Sequence, residues 1–243
     1  MPICDYSDTD YEKEFWKGTG REYEDSADKI AVLRLLPKSG GTILELGAGF
    51  GRLAEAYQQR FQNIILFDYA QNLLDKAKWH FGDNPKFSYM QGSVYKLPYD
   101  ALKADTMLMV RVSHHLEHIE NMLSEASRVL KPNGIFVMEY ANKRNLKEIV
   151  RWLFGRSRMN PFHVSVTDRT GKGFYNYHPA YIERLAEKAG FRIETALSVS
   201  NFRLNIIKKL IGLKALLVLE AVLQRPLGFV RLGPSIYLKL RKR

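Results

Sequence analysis

The chain has 243 residues, of which 46% are hydrophobic and 26% are charged, and its formal net charge at neutral pH is +11. This length and composition are typical of one folded domain with a sizeable core, or of a domain with a small appendage. The single cysteine, Cys4, excludes an internal disulfide framework and any cysteine-rich metal site, so we expect no metal cofactor.

Short apolar runs, which predict buried strands, alternate along the chain with segments of helical spacing. The predicted strands are residues 42–46, 63–67, 86–90, 106–110, 135–140, 191–199 and 235–240. The predicted helices are residues 10–36, 51–60, 71–81, 117–130 and 179–190. Strands that alternate with helices over short connections indicate a parallel sheet that helices cover on both faces.

Two stretches beyond residue 140 are too long to be simple connections, and we expect them to be insertions. They comprise residues 142–177 and 201–233. Residues 206–223 of the second are strongly apolar, but charged side chains interrupt the run and disfavour a membrane-spanning helix. We expect an amphipathic helix that packs against the domain or a second subunit, covers a ligand pocket, or lies on a membrane surface.

A predicted strand runs directly into a glycine-rich turn at residues 43–52, with the sequence Ile-Leu-Glu-Leu-Gly-Ala-Gly-Phe-Gly-Arg. Glycine permits positive backbone angles and a close approach of the chain to a ligand. A dinucleotide-binding turn, G-x-G-x-x-G, would require glycine where this chain has Arg52. The spacing is instead G-x-G-x-G, with Glu45 two residues before Gly47. This pattern favours S-adenosylmethionine, which lacks a pyrophosphate, and Glu45 would compensate its positive charge directly or through water.

Asp68 ends the second predicted strand, about twenty residues beyond the glycine turn, where an acidic residue can bind both ribose hydroxyls. A buried carboxylate without a partner is costly, which favours a ligand role for Asp68 over core packing. The alternative is that Asp68 only caps the helix that begins at Gln71. With the ribose bound at Asp68, Tyr69 would flank the adenine.

These motifs together resemble class I S-adenosylmethionine-dependent methyltransferases, in the broad group that includes ubiquinone- and menaquinone-pathway enzymes. The resemblance covers about residues 23–199 and includes, in order, residues 45–51, 68, 92–98, 111–115 and 128–134. It implies an α/β fold with a Rossmann-like, doubly wound, seven-stranded sheet, mostly parallel with an antiparallel last strand, and with helices on both faces. It also implies a single domain over residues 1–243.

The resemblance implies that the cofactor contacts come from the turns after the first four strands. The residues that we expect to bind S-adenosylmethionine, and its product S-adenosylhomocysteine, are Glu45, Gly47, Ala48, Gly49, Gly51, Asp68, Tyr69, Gly92, Ser93, Val94, Arg111 and Val112. The family often has Gly-Asp-Ala after the third strand, where the acid binds the adenine amino group. This chain has Gly-Ser-Val there, so a hydroxyl and backbone groups would replace the acid.

His114 and His115 follow the fourth strand, where the family commonly has a histidine pair. A neutral imidazole can accept a proton from an acceptor hydroxyl or amine, and His115 is the candidate catalytic residue. The alternative, which we favour for His114, is that one histidine packs beneath the cofactor and the other caps the next helix. Methyl transfer from an activated sulfonium depends mainly on the position of the nucleophile.

Aromatic residues near the N-terminus predict a helical lid over about residues 8–36, although the packing of an amphipathic helix explains them equally well. The aromatic residues are Tyr11, Phe15, Trp16 and Tyr23, which could cover the methylsulfonium, and Arg21 of the same stretch could bind a carboxylate. We also expect both insertions to lie at the edge of the sheet that holds Gly47 and His115. The apolar side chains expected to line the acceptor pocket there are Ile206, Leu210, Leu213 and Leu217.

We expect a methyltransferase that acts on a small-molecule or lipid-like acceptor. The alternative is an RNA methyltransferase, which the positive charge favours but no RNA-recognition motif supports. A cofactor-binding protein without activity is disfavoured by the intact glycine turn. The N-terminal residues lack the basic and apolar regions of a secretory signal, which predicts a cytoplasmic location. We expect a monomer or homodimer, with membrane-surface contact as a further option.

Overall fold

The computed structural model describes residue 16 and residues 20–98, 103–171 and 173–243. The strands are β1 (Gly40–Leu46), β2 (Phe61–Asp68), β3 (Phe87–Gln91), β4 (Ala104–Met109), β5 (Leu130–Ala141), β6 (Val166–Asp168), β7 (Tyr175–Tyr177), β8 (Phe191–Val199) and β9 (Ser235–Lys242). The main sheet has seven strands in the order β3-β2-β1-β4-β5-β9-β8, and β6 pairs with β7 separately.

Strand direction decides where the ligand edge of this sheet lies. β1 is parallel to β2 and β4, β2 to β3, and β4 to β5, whereas β9 is antiparallel to both β5 and β8. The mostly parallel sheet with an antiparallel last strand is therefore confirmed. Because β8 runs in the same direction as β5, both insertions leave from the carboxyl edge, where such sheets bind ligands.

The helices are α1 (Glu22–Leu35), α2 (Ala54–Tyr57), α3 (Gln71–Phe81), α4 (Ile119–Val129), α5 (Leu146–Leu153), α6 (Pro179–Lys188), α7 (Asn205–Leu210) and α8 (Leu213–Val230). The helix predicted at 51–60 is shorter than expected. Gly51 has a φ of 79°, which does not fit a right-handed helix, so α2 begins at Ala54 and a 3₁₀ turn follows it. Residues 10–15 of the predicted N-terminal helix lie outside the described part of the chain.

The sheet is buried on both faces, as the continuous apolar strands predict. Along β1, Leu44 and Leu46 pack into one cluster with residues of α4 and α6. Ile43, on the opposite face, packs into a second cluster with residues of α1 and α3. These two layers hold the carboxyl ends of β1, β2 and β4 side by side.

The first insertion contributes α5 and the β6–β7 hairpin. The hydroxyl of Tyr177 donates hydrogen bonds to the carbonyl oxygens of Ser113, at 3.1 Å, and Leu116, at 2.5 Å. The ring of Phe174 lies 4.5 Å from that of His114, measured between centroids. The hairpin is thus fixed against the turn that follows β4.

The second insertion differs from the expectation. Its long helix, α8, packs on β8 and α1 through a side that buries Glu220, Gln224 and Gly228. Leu210 and Leu213 are 79% and 43% exposed and do not line the cavity described below, contrary to the expectation, and the side chain of Ile206 lies outside the described part of the structure. Glu220 accepts hydrogen bonds from the Tyr23 hydroxyl and the Ser200 amide, at 2.6 and 2.7 Å, so its buried carboxylate has partners.

Candidate active site

The glycine turn between β1 and α2 has a backbone shape that only glycine adopts readily. Gly47, Gly49 and Gly51 have φ angles of 67°, 56° and 79°. A Cβ atom on Gly47 would lie 2.1 Å from Cγ2 of Val112, which belongs to the turn after β4. The amides of Gly47 and Ala48 both donate to the carbonyl oxygen of Phe67, at 2.8 and 3.1 Å. The turn is therefore packed directly against the ends of β2 and β4.

Asp68 ties the end of β2 to the glycine turn. Its Oδ2 accepts from the amide of Gly49 at 2.7 Å, and its Oδ1 accepts from that of Ala70 at 2.9 Å. Burial raises the pKa of Asp68 above its ordinary value, and the hydrogen bonds from backbone amides offset only part of this rise. The N-cap residue of α3 is Ala70, without a side-chain cap, so Asp68 does not occupy the cap position. Each carboxylate oxygen can accept more than one hydrogen bond, which leaves capacity for a ligand.

Glu45 is a buried carboxyl at the end of β1, only 3% exposed. The hydroxyl of Tyr57 donates a short hydrogen bond to its Oε2. Burial raises the pKa of Glu45 to about 7, although Tyr57 and the nearby Arg52 lower it. Because burial disfavours the ionised carboxylate, protonation of Glu45 or binding of a positively charged group beside it is favourable near pH 7.

A cavity of about 340 Å³ joins these groups to the turn after β4. Its lining includes the predicted cofactor contacts Glu45, Gly47, Ala48, Gly49, Asp68, Tyr69, Gly92, Ser93, Val94, Arg111 and Val112, together with His115. Gly51 does not line it. A Cβ atom there would lie 2.5 Å from Cε2 of Phe81, so Gly51 serves the packing of α3 beneath the turn.

Arg111 combines a backbone position at the cavity with a guanidinium that points into the protein. Its φ is 59°, and its amide donates to Oε2 of Glu139 at 2.9 Å. Its Nε and Nη2 bind the two carboxylate oxygens of Asp28 at 2.8 and 3.1 Å. Arg52, from the glycine turn, binds Asp28 Oδ2 at 3.1 Å, and the Tyr237 hydroxyl donates to Oδ1 at 2.8 Å.

Asp28 was absent from the sequence prediction. It is fully buried on α1, and although burial raises its pKa, Arg111 and Arg52 hold that pKa below its usual value. The signal for it in the sequence is an acidic side chain beside Ala27 and Ala31 on the apolar face of a helix. A charge in such a position requires a partner, but the sequence does not say which.

The two histidines form part of a layered ring cluster. The centroids of His114 and His115 are 4.0 Å apart, and Phe174 covers His114. Burial lowers the pKa of His115 to about 4, and burial, His115 and Arg111 lower that of His114 well below its usual value. Both imidazoles are neutral at pH 7 and suit hydrogen bonding better than proton abstraction.

Of the predicted lid residues, Tyr11 and Phe15 lie outside the described part of the chain. Trp16 lines the cavity, with the guanidinium carbon of Arg52 3.7 Å from its ring centroid. Tyr23 is buried against α8, which fits the alternative that the aromatic residues serve the packing of a helix. Ser93 takes the place of the family's acid, and its hydroxyl accepts from the amide of Tyr95 at 3.3 Å.

Comparisons with known proteins agree with this geometry. The sequence model of the methyltransferase domain family matches residues 44–138. A protein of Mycolicibacterium smegmatis described as a "probable S-adenosylmethionine-dependent methyltransferase/" is 26% identical over 66% of this chain and 56% of its own. The ubiquinone biosynthesis O-methyltransferase of Bartonella bacilliformis is 27% identical over 49% of this chain and 52% of its own. The chain thus spans little more than half the length of these relatives.

The fold also resembles that of solved methyltransferase structures. The S-adenosylmethionine-dependent methyltransferase of Mesorhizobium loti superposes with a TM-score of 0.63 and 19% identity, over 89% of this chain and 98% of its own. Strand order, the glycine turn after β1 and the matched family domain lead to one assignment. Residues 44–138 match the methyltransferase domain family, and the chain has the fold of S-adenosylmethionine-dependent methyltransferases.

Proposed function

We propose that this protein transfers the methyl group of S-adenosylmethionine to a small-molecule or lipid-like acceptor. The observation that carries the proposal is that one cavity joins the glycine turn, Glu45 and Asp68 to His115. The family and the fold support the methyl-transfer reaction. Trp16 and Leu116, which line the cavity but are not among the expected cofactor contacts, support a small acceptor with a hydrophobic body.

The residues present fit the cofactor. Gly47, Ala48 and Gly49 line the cavity, and the two glycines have positive φ angles and no side chain, which permits a close approach by a ligand. Asp68 has acceptor capacity for the ribose hydroxyls, and Glu45 offers a buried carboxyl for the positively charged amino acid portion. When bound, S-adenosylmethionine supplies an activated methyl group on a sulfonium.

The remaining work of this chain is to position the acceptor. His115 faces the cavity with a neutral ring that can hydrogen-bond an acceptor hydroxyl or amine. The β6–β7 hairpin holds the turn that carries His115, through the two hydrogen bonds of Tyr177. Trp16 and Leu116 contribute apolar walls that exclude water from the reacting groups. These roles require no strong base.

The acceptor class is supported by the names of two relatives. The relative in Bartonella bacilliformis is a ubiquinone biosynthesis O-methyltransferase. A relative in Chlamydia caviae is a demethylmenaquinone methyltransferase, and it is 31% identical over 38% of this chain and 40% of its own. Acceptors with a ring and an apolar tail fit the apolar lining of the cavity. We therefore propose an acceptor of this chemical type.

The test has a binding arm and an acceptor arm. Calorimetry should show binding of S-adenosylmethionine and S-adenosylhomocysteine and no binding of NAD. Cells that lack the gene, and the same cells with it restored, are then grown with methyl-labelled methionine. A labelled compound that appears in the organic extract only when the gene is present identifies the acceptor. Label that depends on the gene but is found only in RNA would overturn the acceptor proposal and leave methyl transfer intact.

A further inference from the structure

The exposed side of α8 carries several apolar side chains, and its buried side includes two polar ones. Glu220 and Gln224 are completely buried against α1 and β8, together with Leu216. On the opposite side, Val218, Val222 and Phe229 are 64%, 65% and 84% exposed. A helix on a protein surface normally exposes polar side chains. The packing of α8 therefore leaves a row of apolar side chains facing outward along the helix.

The helix α5 continues this apolar surface. Leu146, Leu153 and Phe154 are 60%, 65% and 74% exposed. The amide of Leu146 donates to the carbonyl oxygen of Leu232 at 2.9 Å, just after α8 ends. The start of α5 thus adjoins the segment that follows α8. We call the exposed faces of the two helices together the α5–α8 surface.

The charges on the α5–α8 surface have one sign. In the segments 144–158 and 213–230, all of whose side chains the structure describes, the acidic residues Glu148 and Glu220 are both buried. The exposed basic side chains of these segments are Lys147, Arg151, Arg156, Arg158, Lys214 and Arg225. Apolar side chains flanked by lysine and arginine are typical of surfaces that lie in the headgroup region of anionic membranes.

We propose that the α5–α8 surface binds peripherally to an anionic lipid bilayer. The exposed leucine, valine and phenylalanine side chains enter the boundary between headgroups and acyl chains, and the flanking cations bind lipid phosphates. Among the described residues, no helix combines the length and apolar character needed to cross a membrane. Binding at the surface is the mode that α8 permits. It does not depend on which molecule is methylated.

Charge favours a bilayer over a second copy of the chain. A symmetric dimer through the α5–α8 surface would place the cations of one copy against those of the other, which costs free energy. The start of α5 and the end of α8 also lie at the carboxyl edge of the sheet, because Ala141 at the end of β5 pairs with Ser235 at the start of β9. A bilayer bound there lies at the same edge as the cavity.

The experiment is flotation of the full-length protein with vesicles of phosphatidylcholine alone or mixed with phosphatidylglycerol. We expect the protein to float with the anionic vesicles, and its affinity to fall as salt is raised. The charge variant Lys147→Gln/Arg156→Gln/Arg225→Gln should lose affinity on the order of 100-fold, since each basic residue near an anionic surface contributes about fivefold. The apolar variant Phe154→Ser/Val222→Ser/Phe229→Ser should lose at least about tenfold.

Matched controls separate this surface from net charge and general hydrophobicity. The variant Lys38→Gln/Lys78→Gln/Lys103→Gln removes the same charge elsewhere, and Trp79→Ser removes a side chain that is 86% exposed on α3. Both should bind vesicles nearly as the wild type does, and circular dichroism should show that all variants are folded. Wild-type protein that stays unbound, or test variants that match their controls, would overturn the proposal. A third outcome would also overturn it: the wild type does not bind vesicles, and light scattering shows that it is a dimer which dissociates in the apolar variant but not in the other variants.

Discussion

Asp28 and Arg111 form a two-pronged ion pair across the candidate active site, with Nε–Oδ2 and Nη2–Oδ1 distances of 2.8 and 3.1 Å. The pair joins α1 to the turn after β4, whose backbone lines the cavity. Arg52 of the glycine turn and Tyr237 of β9 bind the same carboxylate. One buried acid thus positions two turns that we propose to hold the cofactor.

Asp28→Asn should destabilise the protein strongly. The substitution preserves shape but leaves the buried Arg111 without its countercharge, and breaking a buried pair in this way costs about 3–5 kcal/mol. Urea unfolding measures the free energy of unfolding. The control is Asp75→Asn on α3, whose exposed carboxylate accepts a hydrogen bond only from the Gln71 side chain of the same helix in the described contacts, and a loss of about 1 kcal/mol or less is expected there. Equal losses for the two variants would contradict the structural role of Asp28.

The pairing of Asp28 with Arg111 marks a limit of what sequence predicts. The glycine turn and Asp68 could be predicted because each depends on residues close together in the chain, between a strand and a helix. Asp28 and Arg111 are separated by 83 positions. Helical spacing shows that Asp28 lies on an apolar face, but only the folded chain shows which cation neutralises it.

The burial of Glu220 in α8 was also beyond sequence reasoning. Its apolar neighbours favour burial of this side of the helix, but an acidic residue there is not expected to be buried. Burial of Glu220 depends on the Tyr23 hydroxyl and the Ser200 amide, which come from distant parts of the chain. Hydrophobic patterning does not register such hydrogen bonds, so it does not predict where Glu220 lies.

Asp68→Ala should weaken binding of S-adenosylmethionine. Loss of the two expected hydrogen bonds to the ribose would cost on the order of 2–4 kcal/mol of binding free energy. The substitution also removes the bonds from Gly49 and Ala70, so calorimetry is done well below the melting temperature. Asp105→Ala is the control, since Asp105 accepts from the amide of Thr42 at 2.7 Å without lining the cavity. Normal cofactor binding by Asp68→Ala would refute the ribose assignment.

Glu45 should make the stability of the cofactor-free protein depend on pH. Because its folded pKa is raised to about 7 from 4.5, the protonated form is favoured in the folded state. The stability it contributes is full below pH 4.5 and is lost as pH rises towards 7. The change amounts to about 3 kcal/mol relative to Glu45→Gln. Urea unfolding of both proteins between pH 4.5 and 8 measures this difference.

The same carboxyl should respond to the cofactor. A positively charged ligand group favours ionised Glu45, so binding of S-adenosylmethionine should strengthen as pH rises through 7 in the wild type and less so in Glu45→Gln. Glu55→Gln, which changes an exposed carboxyl on α2, serves as the control for the added amide. If the two variants have parallel pH profiles for both stability and binding, then Glu45 does not carry the effect.

His115 should contribute stability with the opposite dependence on pH. Burial lowers its folded pKa to about 4, so the neutral ring is favoured in the folded state. The stability it contributes is therefore present above its ordinary value of 6.5 and is lost as pH falls towards 4. As the pH falls from 6.5 to 4, the free energy of unfolding of His115→Asn should decrease less than that of the wild type, and the difference should reach about 3 kcal/mol. His118→Asn, at an exposed histidine three residues on, controls for the loss of an imidazole.

The rate should then show whether His115 positions the acceptor or removes its proton. A ring with a pKa of about 4 is a weak base at pH 7, so kcat should not titrate with it between pH 6 and 8. Loss of a positioning hydrogen bond in His115→Ala should lower kcat/KM on the order of tenfold and leave cofactor binding unchanged. Removal of a general base would instead cost about 10²–10⁴-fold. Initial rates with the acceptor identified by labelling distinguish the two, and a loss in the larger range would assign proton removal to His115.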